Sequence, residues 1–510
     1  MRVAFRTDAS SQIGLGHAMR CVALAQALSA LGATVFFIAR HMPASTAARI
    51  RDLGFGLFML EPASSGQPLV KTNEYEEWLG VPWLADAEQT LQVLSDEGRV
   101  DWLVVDHYAL DERWETVTSA ATNHIAAIDD LDNRSHHCDL LIDHNPSLSD
   151  TPRYTTHTPS NCLRLLGPRY ALLRPEFADA RGDAAPVRNK LKRLLISLGG
   201  ADPAGVTGHA LAALLPLAFE GFALDVVLGS ASTQRAAVEK AVAAIPSAKL
   251  HVDVADMTSL YLAADLAVGA AGTSVWERCS LGLPTILLTL ADNQRAGAQA
   301  LAERGACIHL GSATAQHMVA MTGLVRALAQ SPGWLSILSR TAAAVCDGYG
   351  ASRVAARMES FDMRLRAVVV ADVEALWNWR NDEINRRYAI DPRPIPRDAH
   401  QEWFEARMSD DDCILLIAED NVGPIGVLRY EIIDLRATVS VYLVPGRHGQ
   451  GRGGVLLLAG ERWLRSNRSD VYAIEAEILI DNQASLNVFA ESGYVEQSRI
   501  FIKHLVEELR

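Results

Sequence analysis

The chain has 510 residues, 49% of them hydrophobic, and a formal net charge of -14. That length is too great for one hydrophobic core and points to about three domains, and the acidic balance argues against general binding to nucleic acid or an anionic membrane. The seven cysteines (Cys21, Cys138, Cys162, Cys279, Cys307, Cys346, Cys413) are odd in number, scattered and never spaced C-x-x-C, which indicates neither a zinc knuckle nor a disulfide framework and fits a reducing cytosol.

Met1 runs directly into a strand, with no basic region, apolar stretch and cleavage site in sequence. Every apolar run is broken well short of the roughly 18 residues a spanning helix needs. A cytoplasmic protein with neither membrane nor nucleic-acid partners is expected. Strand-length apolar runs recur at Arg2–Thr7, Thr34–Ile38, Asp101–Asp106, His124–Ile128 and Asp139–Ile142, separated by stretches of helical spacing such as Ala18–Leu31. This alternation predicts a parallel α/β sheet covered on both faces. Phe177 to Lys192 turns polar and reads as a linker. A second series follows at Arg193–Leu198, Ala223–Leu228, Lys249–Val254, Asp265–Gly269, Thr285–Leu290 and Cys307–Leu310. Two Rossmann-like units result, over 1–180 and 190–358, with a ligand cleft expected between them. The last region, 362–510, reads as α+β: a strand at Arg364–Val370, a helix over Asp372–Arg387, and antiparallel strands at Cys413–Glu419, Pro424–Glu431 and Ala437–Val444.

The first run that carries chemistry is Arg6 to Cys21. Asp8 ends the first strand, and Gly14 and Gly16 let the backbone turn tightly and approach a ligand where a helix starts, with free N–H groups for a diphosphate. His17 sits on that edge, and a neutral imidazole there is a candidate general base; packing or capping is the competing role. The run R-x-D-x-S-x-x-I-G-x-G-H-x-M-R-C, which includes Arg20, resembles the opening of the UDP-sugar hydrolases of pseudaminic-acid synthesis and related spore-coat polysaccharide proteins. These are similar in turn to the transferase that adds N-acetylglucosamine in peptidoglycan synthesis. The resemblance implies a GT-B-like arrangement of the two units and extends over residues 1 to 355. It takes in Val105-Asp106-His107-Tyr108, Ile128-Asp129-Asp130 and Gly167 to Arg174. Asp106 and Tyr108 fall at a strand's C-terminal end, and substrate contact and a structural role are equally consistent with that place. Asp129 and Asp130 have no third ligand of suitable spacing, so no metal is expected.

In the second unit a strand leads into Gly199 and Gly200, and Gly272-Thr273-Ser274 precedes Glu277. Small residues and hydroxyls suit a diphosphate. The resemblance implies a UDP site in which Glu277 accepts the ribose hydroxyls and Asn293 and Gln294 contact the sugar; Trp276 reads as core. Hydrolysis is the expected reaction, with water deprotonated by His17 and UDP leaving. A single base suffices because UDP, unlike an ordinary glycosidic alcohol, needs no acid to leave. A UDP-sugar glycosyltransferase is the alternative, and a non-enzymatic sugar-nucleotide sensor is a third.

In the last region, Val439 to Leu457 combines an alternating strand, a glycine-rich turn and an apolar helix start, so Gly449, Gly451 and Gly453 leave successive N–H groups for a pyrophosphate. This segment resembles the coenzyme A loop of GNAT acetyltransferases. The resemblance implies acetyl-CoA as co-substrate, held by Leu443, Val444, His448, Gly449, Gln450, Gly451, Arg452 and Gly453. His448 stands where that family has Gln or Arg. Ile474–Ile478 followed by Asp481 to Tyr494 matches a second GNAT signature, adding Asn482 and Asn487 to the cofactor set. Phe489 replaces a tyrosine that serves as the acid in many members, which leaves the acid unassigned. Ile474–Ile478 reads as a strand, and Glu477 is the candidate base for the substrate ammonium, with a strand-surface carboxylate as the competing role. Together the resemblances imply successive steps on one UDP-linked amino-dideoxy sugar: 4-N-acetylation, then release of UDP. A fold alone fixes no substrate.

Overall fold

The computed structural model describes every residue except 11, 63–74, 148–152, 183, 200, 201, 203, 230, 231, 233, 421, 450 and 498–510. Two compact units are present, Met1–Ala355 and Ala356–Arg510.

The first unit holds two parallel sheets. One contains β1 (Arg2–Thr7), β2 (Thr34–Ala39), β3 (Gly56–Met59), β4 (Val100–Asp106), β5 (Thr122–Ile128), β6 (Leu140–Asp143) and β7 (Leu163–Leu166), in the order β3-β2-β1-β4-β5-β6-β7. The other contains β8 (Arg193–Ser197), β9 (Ala223–Leu228), β10 (Ala248–Val252), β11 (Leu266–Ala270), β12 (Thr285–Thr289) and β13 (Ile308–Ser312), in the order β10-β9-β8-β11-β12-β13. The central strands are covered on both faces, so their apolar runs are continuous: Val3, Ala4 and Phe5 have no exposed surface, nor do Leu194, Leu195 and Ile196. Both sheets reverse direction once, between β1 and β4 and between β8 and β11. The carboxyl ends of strands at such a reversal are where open α/β sheets bind ligands.

The expected linker is largely structured. Pro175–Arg181 is a helix with proline at its start, and Phe177 is fully buried. Arg181 donates to the carbonyls of Ser280, Ala343 and Cys346 at 2.7, 3.1 and 3.2 Å. Arg188 is buried and donates to the carbonyls of Tyr261 and Leu281. The segment reads as a polar linker in the sequence because the partners of these arginines are backbone oxygens, which composition does not reveal.

The second unit is a five-stranded sheet of β14 (Arg364–Ala367), β15 (Cys413–Asp420), β16 (Gly423–Ile433), β17 (Arg436–Leu443) and β18 (Ala473–Glu475), in chain order. All neighbours are antiparallel except β17 and β18, which run parallel and pair only from Arg436↔Ala473 to Thr438↔Glu475. Three expectations need correction. The strand read over Arg364–Val370 stops at Ala367, and the chain enters a short 3-10 turn at Val370–Asp372. The single helix read over Asp372–Arg387 is two, Val373–Asn381 and Glu383–Arg387, because Asp382 leaves helical geometry (ψ 140°) and its carboxylate caps the second by accepting from Ile384 N at 3.0 Å. The strand read over Ile474–Ile478 ends at Glu475.

Candidate functional sites

In the first unit the segment after β1 closes on itself before the Gly16–Ala30 helix. Gly14 N donates to Ser10 O at 2.8 Å, and Ser10 Oγ accepts from Ile13 N at 3.1 Å. Gly14 adopts φ 82°, a conformation that favours glycine. The turn delivers His17 beside the end of β4, where its Nδ1 lies 2.5 Å from Asp106 Oδ1. Arg20, one turn on, grips the same carboxylate with Nε at 2.6 Å and Nη2 at 2.7 Å, and its Nη1 reaches Asp130 Oδ2 at 3.2 Å. Tyr108 OH donates to Asp130 Oδ1 at 2.5 Å, and its ring stands edge-on to His17 with centroids 4.6 Å apart.

The arrangement fixes charge states. Asp106 is fully buried, yet Arg20 and His17 hold its carboxyl far below the usual range, outweighing desolvation. Asp130 is also lowered, by Arg20 and by the hydrogen bond from Tyr108, and His144 Nε2 lies 3.9 Å away. Burial depresses His144 to about 4, which keeps it neutral. With a permanent carboxylate at Nδ1, the His17 tautomer that carries its proton on Nδ1 is favoured, and Nε2 is left to accept one. Asp106 is thus the partner of His17 and Arg20. Asp8 lies deeper: its buried carboxylate receives Arg6 at 2.8 and 3.0 Å and the backbone N–H groups of Arg40 and His41 at 2.7 and 3.1 Å. All of those partners are internal, so Asp8 organises the strand ends.

The turn after β11 comes to the same place. A Cβ built on Gly16 would lie 2.7 Å from Thr273 Oγ1, so the two turns meet here and any larger residue would force the Thr273 side chain to move. Gln294 lies beside Gly272, its Nε2 3.8 Å from where a Cβ would be, and its Oε1 accepts from Leu290 N at 3.1 Å. Asn293 is exposed on the preceding 3-10 turn. Glu277 faces Tyr261 OH at 3.2 Å and Arg174 at 3.8 Å, and burial raises its carboxyl. Trp276 is core, 2% exposed, with His144 edge-on at 5.7 Å. Gly199 follows β8 at φ 107°, the equivalent switch-point position; Gly200 lies outside the described residues. Sequence reasoning missed His144 and the ion-pair role of Asp130, since neither falls in a patterned spacing.

In the second unit β17 runs five residues past its last pairing with β18, so the strand's edge from Val439 to Leu443 has no β18 partner. The loop after it is tied down by Asn385, whose Nδ2 donates to Leu443 O at 2.9 Å and whose Oδ1 lies 3.1 Å from His448 Nε2. Val444 N donates to Ile425 O at 2.8 Å. Gly446 and Gly449 have φ 85° and 75° with nothing within 4 Å of a built Cβ. Gly451, at φ 71°, starts the Arg452–Asn467 helix without a side-chain cap. The first N–H groups of that helix are therefore available to an anion, which is the donor set a pyrophosphate needs. Gly453 sits in that first turn against Val488. The Arg452 guanidinium is taken by Glu359, so what it offers a ligand is its backbone. Asn482 caps the Gln483–Ser492 helix through Ser485 N at 3.1 Å, and Asn487 is exposed and accepts from Gln483. Glu477 is exposed beyond the end of β18. Phe489 is buried against Tyr494, with ring centroids 4.8 Å apart. Gln450 lies outside the described residues. Asn385 carries no motif signal.

Residues 362–495 match the acetyltransferase (GNAT) domain family, and residues 232–329 match the glycosyltransferase family 28 C-terminal domain. The chain therefore joins a region like the glycosyltransferase family 28 C-terminal domain to a GNAT acetyltransferase domain, whose acyl donor is acetyl-CoA. Three relatives are similar to this chain. An uncharacterized protein of Methanocaldococcus jannaschii, MJ1062, is 21% identical over 507 residues, 97% of this chain and 96% of its own. The spore coat polysaccharide biosynthesis protein SpsG of Bacillus subtilis is 33% identical over 146 residues, 28% of this chain and 43% of its own. The UDP-2,4-diacetamido-2,4,6-trideoxy-beta-L-altropyranose hydrolase of Campylobacter jejuni is 28% identical over 203 residues, 40% of this chain and 61% of its own. The matches to the latter two span less than two thirds of those proteins. Among the described residues no group of three or more His, Cys, Asp or Glu is placed to hold a metal, and no helix is long and apolar enough to cross a membrane.

Proposed function

We propose that the first unit hydrolyses a UDP-linked 2,4-diacetamido-2,4,6-trideoxy sugar, and that the second acetylates the 4-amino group of its precursor, as successive steps of pseudaminic-acid synthesis in the cytoplasm. The observation that carries the hydrolytic reading is the pair His17–Asp106 at the β1/β4 switch point, facing the Thr273 turn. The likeness to the Campylobacter jejuni hydrolase supports the substrate.

His17 Nε2 takes a proton from water as its oxygen attacks the anomeric carbon; the bond to the diphosphate breaks and UDP leaves with the electron pair. Asp106 stabilises the imidazolium that forms, a contribution present only after proton transfer begins. Glu277 holds the ribose, and backbone N–H groups beside Gly16 and Gly272 offset charge on the departing diphosphate. In the second unit, acetyl-CoA supplies the activated acetyl group. Gly449, Gly451 and Gly453 hold its pyrophosphate, the open β17 edge at Leu443 orients it, and Glu477 takes the proton of the substrate ammonium.

The family 28 match favours one other reading, transfer of the sugar to an acceptor other than water. Incubation of the purified protein with the diacetylated UDP-sugar alone separates the two: hydrolysis releases UDP and free sugar without further additions. Release that waits for an added acceptor contradicts it.

A further inference from the structure

The turn from β11 to the Ser274–Ser280 helix is wrapped around a buried cation. Arg278 has no exposed surface. Its Nη2 donates to Ala270 O at 2.7 Å and its Nη1 to Ser274 Oγ at 3.0 Å, while Nε is buried without a hydrogen-bond partner. Gly269 lies flat against the guanidinium: a Cβ there would come within 2.6 Å of Cζ, so this glycine is required by contact. The groups Arg278 reaches are neutral, namely the Ala270 carbonyl, the Ser274 hydroxyl and the phenol of Tyr261 alongside. Glu277, next in the chain, turns its carboxylate to Tyr261 and Arg174 and makes no direct ion pair with Arg278.

A guanidinium removed from water and left without a paired carboxylate is unfavourable unless negative charge arrives from elsewhere. We propose that Arg278 is a positioning residue for a nucleoside diphosphate, giving the Gly269–Ser274 turn a fixed positive charge that favours a phosphorylated ligand over a bare nucleoside. Because Nη1 donates to Ser274 Oγ, the hydroxyl's own proton points away from Arg278 and is available to a phosphate oxygen. The low-dielectric surroundings strengthen the charge and shield it from salt. This inference rests on reading the first unit as a UDP-sugar enzyme.

The test is calorimetric binding of uridine, UMP and UDP to the full chain and its Arg278→Gln, Arg278→Lys and Ser274→Ala variants. Wild type binds progressively tighter as phosphates are added. Arg278→Gln loses roughly 30- to 100-fold in UDP affinity with uridine unchanged, and Arg278→Lys keeps most of the gain. Ser274→Ala, which leaves the cation in place and decides the matter should Arg278→Gln not fold, loses about tenfold for UDP only. The proposal is overturned if Arg278→Gln keeps the wild-type ratio of UDP to uridine affinity, if uridine weakens in parallel, or if Ser274→Ala binds UDP as wild type does. Failure of wild type to bind UDP at all is a different result and contradicts the reading of the unit itself.

Discussion

His17 Nδ1 and Asp106 Oδ1 are 2.5 Å apart, and Arg20 holds the same carboxylate through two further hydrogen bonds. Asp106→Asn presents His17 with a neutral amide and favours the wrong tautomer. Hydrolytic kcat is expected to fall by on the order of 100- to 10,000-fold, with UDP affinity little changed. His17→Ala should lose on the order of 100-fold or more by the same assay. Because Asp106→Asn also removes the closer of the two carboxylates that hold buried Arg20, its melting temperature should drop, whereas that of His17→Ala should hold. Near-normal turnover in either variant contradicts the base assignment.

Glu277→Ala removes contacts made to ribose before the transition state. KM for the UDP-sugar should rise about tenfold or more with kcat retained. A fall in kcat at constant KM would place Glu277 in the chemistry instead.

His136 is buried between Glu115, 2.7 Å from its Nδ1, and Asp129, and these carboxylates raise its pKa from 6.5 to about 9 despite desolvation. A raised folded value means that the stabilisation is fully present below pH 6.5 and is lost as pH rises through about 9. The first unit should lose on the order of 3 kcal/mol over that interval. Melting curves from pH 6.5 to 9.5 should show the decline in wild type and a flatter profile in His136→Phe. Parallel profiles would assign the alkaline limb to other groups.

Gly451 adopts φ 71° where the Arg452–Asn467 helix starts. Gly451→Leu strains that turn and fills the space over the exposed N–H groups. Acetyl-CoA binding and acetylation should be abolished, while hydrolysis of preacetylated substrate continues. Likewise, a chain ending near Arg353 should hydrolyse the diacetylated sugar, and one beginning near Phe361 should bind acetyl-CoA. Loss of hydrolysis in folded Gly451→Leu protein would show that the two activities are coupled.

The parallel strands were legible in the sequence because their apolar runs are continuous: Arg2–Thr7 and Ala223–Leu228 fall where they were read, and the others that were read shift by one or two residues. β3 and β7 went unread. Both are four-residue edge strands, Gly56–Met59 and Leu163–Leu166, with half-exposed faces that carry no such run. His17 and Asp106 each stood out by position, but nothing in their spacing, 89 residues apart, showed that they touch. Their contact follows from β1 and β4 being neighbours, a consequence of sheet order. Asn385 and Arg278 were hidden for a related reason, since Asn385 acts on the Leu443 carbonyl and the distant His448 ring and Arg278 on a carbonyl and a hydroxyl, contacts that leave no mark on composition.

Hydrolysis by water activated at His17 is tested most directly by running the reaction of the first unit in water enriched in oxygen-18 and analysing both products by mass spectrometry. Attack at the anomeric carbon places the label in the released sugar and none in UDP, at a rate that collapses in His17→Ala. Label in UDP, or unlabelled sugar transferred to another acceptor, would contradict it.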